Sequence, residues 1–137
     1  MPEPARTRTL MLLAAAWLLA GCSGDPAAKP GFHEINQHRF FVNSLGMQFV
    51  QLPGSDAWLG VWETRVADYA AFANATTNGW QAAWFQDTDR HPAVNVHWHD
   101  AQAFCAWLSQ RERESGLLAA DEGYRLPTSS EIGRAHV

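Results

Sequence analysis

The 137-residue chain predicts an α+β fold, and three observations carry that reading. Val94 and Val96 alternate around Asn95 after the punctuating Pro92, the pattern of a short, half-buried strand. Ala101, Phe104, Trp107 and Leu108 then recur at spacings of three and four, so they share one face of a helix that begins near Asp100. From Tyr124 to Thr128 the chain cannot continue as helix, because Pro127 biases Leu126 toward extended geometry and forces a corner.

At the N-terminus, Arg6 and Arg8 precede an apolar run from Leu10 to Ala20 that is too short to span a bilayer by itself. Residues 1–21 read as an export signal. The run closes on Leu19-Ala20-Gly21-Cys22, which resembles the lipobox of bacterial lipoproteins. That resemblance implies a diacylglycerol on the Cys22 thiol and Cys22 as the mature N-terminus. More than one acyl chain anchors a protein stably without a membrane crossing, so the expected partner is a membrane, reached through lipid. Ser23 in place of an aspartate favours, by the same resemblance, the outer membrane or cell surface. An ordinary cleaved signal is the alternative. Residues 22–39, with Pro26 and Pro30, read as an extended tether.

Further along, Thr64 is an N-cap candidate, its hydroxyl able to accept a first-turn N–H. Val66, Tyr69, Ala70, Phe72 and Ala73 follow as the apolar face of a helix. Asn74 to Gly79 is rich in turn residues. Trp80, Trp84 and Phe85 read as a loop carrying exposed or half-buried aromatics, which could contact a peptide or sugar or pack against more protein. The second helix ends in a charged turn, Arg111 to Glu114, before Ser115 and the stop signal Gly116.

Without the signal and the last seven residues, seven Lys/Arg face twelve Asp/Glu. This acidic excess leaves no basic stripe for nucleic acid and no attraction to anionic headgroups. Two cysteines are present. With Cys22 acylated, Cys105 has no intramolecular partner, and a buried helix-face thiol acting as a small hydrophobe is the plainest reading. A disulfide to more distant sequence and a reactive thiol are the alternatives. His97 and His99 are weak metal candidates: on a strand, residues two apart face one side, but no third ligand stands at a clear spacing. A local role where the helix begins is the plainer reading, with Asp100 supplying negative charge to the first turn. His91 before Pro92 reads as a turn residue.

Taken together, the His-Pro start, Asn-Val-His-Trp, the Asp100 to Leu108 helix and Tyr-Arg-Leu-Pro-Thr resemble the formylglycine-generating, sulfatase-modifying-factor family. The run from Asn43 to Gly54 looks like that domain's opening strand and turn, and Val61 to Tyr69 like its first helix entry. The resemblance spans residues 40–128. It implies a C-type-lectin-like fold with short strands, two helices and much irregular structure. It also offers two functions. One is oxidation of a sulfatase cysteine to formylglycine, with copper on two distal cysteines and calcium nearby. The other is a binding or assembly role on the same scaffold, with a protein or peptide ligand. The direct passage from Leu52-Pro53-Gly54 to Leu59-Gly60 is shorter than in the oxidases and favours the second. The family's active-site cysteines and calcium ligands fall beyond this stretch, so no catalytic or metal residue carries over and no cofactor is expected here. After Thr128 the family pattern breaks off. Ile132 to Val137 is what a common sequencing-adapter read encodes, so residues 129–137 are expected to be a non-native tail and residues 40–128 the front part of a longer domain.

Overall fold

The computed structural model describes residues 29–35 and 38–134. Four strands come first: β1 (Gly31–Ile35), β2 (His38–Val42), β3 (Gln48–Gln51) and β4 (Trp58–Gly60). They form one antiparallel sheet in the order β1-β2-β3-β4, each strand paired with its sequence neighbour. Helices α1 (Val66–Ala75), α2 (Trp98–Glu114) and α3 (Ser129–Arg134) follow. The α+β class holds, and no described helix is long and apolar enough to cross a membrane.

The sheet starts at Gly31, inside the stretch read as tether, because Phe32 lies 5.3 Å from the Phe41 ring and 5.5 Å from Trp58. Phe41 faces Phe49 across β2 and β3, and both are buried. Between those strands, the Asn43 carboxamide oxygen accepts the N–H groups of Leu45 and Met47 at 3.0 and 2.9 Å, closing a tight turn. Gly46 in that turn takes φ +75°, a conformation that side chains resist.

Helix α1 turns Tyr69 and Phe72 inward, and α2 answers with Phe104 and Leu108. The Tyr69 ring meets Phe72, Trp80 and Phe104 within 5.4 Å, in tilted and edge-on geometries that aromatic quadrupoles favour. Tyr124, from the segment after α2, closes the core with its ring tilted against Phe49 at 5.5 Å. Each such ring removes well over 100 Å² from water, worth roughly 2–3 kcal/mol by area.

Two local readings are corrected. Residues 94–96 are not a strand: Asn95 sits at φ 58°, which breaks an extended run. Pairing is confined to one bridge between Arg65 and Pro92, beside the Ala93 N–H donated to the Thr64 carbonyl at 2.8 Å. Thr64 is not the N-cap of α1 either. Arg65 takes that place, and Asp68 at the third helical position accepts the Arg65 backbone N–H at 3.0 Å and two guanidinium N–H groups at 2.9 Å. These bonds all run from Arg65 to Asp68, while the first helical N–H groups, those of Val66 and Ala67, donate to the His91 and Asp89 carbonyls at 2.8 and 3.1 Å. Thr64 itself is fully buried, with its hydroxyl unpartnered.

Candidate functional site

Helix α2 organises the polar chemistry of the described residues. It begins two residues earlier than the apolar period indicates, with His97 as N-cap and Asp100 in the first turn. Asn78, from the turn after α1, donates to the Asp100 carboxylate at 3.3 Å. Burial, and then the Asp100 charge, push the Tyr69 phenol up to about 12. Tyr69 therefore stays protonated at neutral pH and is a core residue rather than a base.

The two histidines do not share a face. His97 precedes the helix and His99 is its second residue, so at about 100° per residue their side chains diverge. Both are exposed, and no group of three His, Cys, Asp or Glu among the described residues is placed to hold a metal. Cys105 lies on the buried side of α2, beside Phe104 and Leu108, and burial pushes its thiol up to about 12. At that value it is neither a ready nucleophile nor a ready metal ligand. His91 is a turn residue, its N–H donating to the Thr88 carbonyl at 3.2 Å and its Nδ1 lying 3.3 Å from Asp87. Cys22 lies outside the described residues.

Three polar junctions were missed by sequence reasoning. Glu112, read as part of a charged last turn, is fully buried and accepts the Ser44 N–H at 3.2 Å and the Ser44 hydroxyl. Arg111 donates to the same hydroxyl oxygen at 3.2 Å and lies over the Trp107 ring. The signal was available, since Glu112 falls four residues after Leu108 on the inward stripe. Ser109 is the second junction. Its hydroxyl donates to the Cys105 carbonyl at 2.7 Å and accepts the Tyr124 N–H at 2.7 Å, tying α2 to the following segment.

The third junction is the Arg-Leu-Pro-Thr corner. Arg125 grips Glu131 with two N–H groups, at 2.8 and 2.6 Å, while Glu131 accepts the Thr128 N–H at 2.8 Å and its hydroxyl at 3.0 Å. The Arg125 hydrogen bonds, aided by those from Thr128, hold the Glu131 carboxyl down at about 2. Helix α3 thus starts on a capping box within residues 129–137, and Glu131 joins the corner to it. Arg65 is engaged by Asp68 and Arg125 by Glu131, and burial raises the Glu63 carboxyl above its usual range.

Elsewhere, a shallow hollow of about 510 Å³ at the turn between β3 and β4 is lined by Gln51, Leu52, Pro53, Gly54, Ser55 and Asp56. It gathers no acid, base and nucleophile together.

This α+β arrangement of one sheet and three helices is compatible with the comparison to known families. The family model for the sulfatase-modifying factor enzyme 1-like domain matches residues 33–136, well over half of the chain. The chain belongs to that family. Comparison with curated proteins and with solved structures returned no match.

Proposed function

We propose that this chain is a lipid-anchored exported protein whose sulfatase-modifying-factor domain, C-type-lectin-like in fold, serves a binding or assembly role for a protein or peptide. Anchoring is supported by the sequence alone: the basic start, the short apolar run and Cys22 after Leu19-Ala20-Gly21. The observation that carries the choice of role is the direct passage from Leu52-Pro53-Gly54 to Leu59-Gly60, a shorter approach than in the oxidases this chain resembles. The buried Cys105, its thiol raised to about 12, is a core residue under either role.

Family membership supports a second reading, in which the domain belongs to a formylglycine-generating oxidase that acts on a sulfatase cysteine through residues beyond those printed here. The two are separated by reading the locus past Thr128: a cysteine pair near the end of the domain would overturn the binding role, and the absence of one is the expected result. The 137-residue chain itself is expected to give no formylglycine from a cysteine-containing sulfatase peptide and copper under either reading. Cys22→Ala is expected to move the exported protein out of the membrane fraction. Unchanged fractionation would count against the anchor.

A further inference from the structure

Asn78 and Gly79 form the one Asn-Gly step in the chain, in the irregular segment after α1 and outside any helix or strand. Gly79 is exposed, takes φ +47°, and has open space where a side chain would stand. Among the described residues its N–H has no hydrogen-bond partner. A glycine nitrogen free of both steric cover and a hydrogen bond can swing toward the preceding carboxamide, an approach that regular structure and a Cβ both hinder. The other described asparagines lack these conditions. Asn74 lies within α1, Asn43 is fully buried with its carboxamide oxygen engaged, and Asn95 precedes the β-branched Val96.

We propose that Asn78 is a site of spontaneous deamidation whose product dismantles the polar contact between the turn after α1 and the start of α2. The Gly79 nitrogen bonds to the Asn78 carboxamide carbon, its proton passing through water to the departing Nδ2, which leaves as ammonia when the C–N bond breaks. Water then opens the five-membered imide at either carbonyl, giving aspartate or isoaspartate at this position. No oxidant or reductant takes part. Asn78 Nδ2 donates to Asp100 Oδ1 at 3.3 Å, so the reaction replaces a donor by a carboxylate that faces a carboxylate. The hydrogen bond is lost and the two charges repel. Asp100 lies in the first turn of α2, and its charge already reaches the buried Tyr69 phenol. Trp80, two residues past Asn78, packs 5.0 Å from the Tyr69 ring and donates its Nε1–H to the Val94 carbonyl at 2.8 Å. A turn pushed away from Asp100 pulls on that indole, so a change at one half-buried amide is felt in the core between α1 and α2.

The full chain, incubated at mildly alkaline pH and mapped by peptide mass spectrometry, tests the reaction, with an isoaspartyl methyltransferase as an independent label. Asn78 is expected to convert at least tenfold faster than Asn74 or Asn95, and the label at this position to be lost in Asn78→Gln, whose longer side chain would have to close a six-membered ring. Conversion at Asn78 no faster than at Asn74 would overturn the site. Urea unfolding of Asn78→Asp in two backgrounds reads the consequence. The midpoint should fall in the otherwise wild-type chain and hold in Asp100→Asn, where the new carboxylate meets an amide donor. An equal fall in both backgrounds, or none in either, would overturn the part assigned to Asp100.

Discussion

Glu131→Gln isolates the ion pair that closes the Arg-Leu-Pro-Thr corner. In the folded chain the Glu131 carboxyl titrates near 2 rather than 4.5, first because Arg125 hydrogen-bonds it. One pKa unit corresponds to about 1.4 kcal/mol, so the full displacement sets a ceiling of about 3 kcal/mol on what ionised Glu131 adds to stability. Arg125 is 39 % exposed while Glu131 is 10 % exposed, and water screening at the arginine lowers this to about 1–2 kcal/mol. A carboxyl whose pKa is depressed by folding stabilises above its unfolded value, and the contribution disappears as pH falls toward the folded one. Urea unfolding of a chain starting at residue 22, with Cys22→Ala, should therefore show wild type ahead of Glu131→Gln by about 1–2 kcal/mol at pH 6.5. The gap should narrow steadily below pH 4.5 and vanish near pH 2. A gap that is constant between pH 6.5 and 2.5, or none at pH 6.5, would refute the reasoning.

Two further outcomes follow from the helix α2 junctions. Raising the Cys105 thiol from 9.0 to about 12 lowers its thiolate fraction about a thousandfold at pH 8. A disulfide exchange reagent should accordingly label folded protein hundreds of times more slowly than urea-unfolded protein, and rates within tenfold of each other would place the thiol in solvent. Ser109→Ala leaves the buried Tyr124 N–H without its acceptor, which costs about 1–3 kcal/mol. An unchanged urea midpoint would show that the segment after α2 is held by packing alone.

Much of this architecture was legible in the residues. The apolar spacing from Ala101 to Leu108 and that from Val66 to Phe72 each identify a helix face, and Gly116, at φ +77°, ends α2 as its position implies. The strand expected at Val94 and Val96 failed because two valines flanking one asparagine alternate as well in irregular backbone as in a sheet. Only the long-range pairing with Arg65 decides between them, and that is limited to Pro92. Thr64 failed as a cap for a related reason: a hydroxyl suits an N-cap locally, but tertiary burial claimed it, and the Arg65 and Asp68 pair served one residue later. The junctions at Glu112 and Ser109 are the harder class. Their polar side chains lie on an inward stripe whose partners, Ser44 and Tyr124, come from elsewhere in the chain. Trp80, Trp84 and Phe85 were legible as an aromatic loop, but not that Gln86 would fix its tip outward.

The buried Glu112 joins Ser44 across 68 residues of chain. Closing a loop of that length costs about 4 kcal/mol of chain entropy, comparable with what the hydrogen bonds of one carboxylate return in net terms. The link is therefore marginal by itself and is secured when α2 docks as a whole, bringing Phe104 and Leu108 into one core with Phe41 and Phe49. The four-stranded sheet is stitched from adjacent hairpins and could nucleate early, yet its inner face has no cover until that docking occurs. Hairpins and long helix are thus one cooperative unit, neither of them a persistent species without the other.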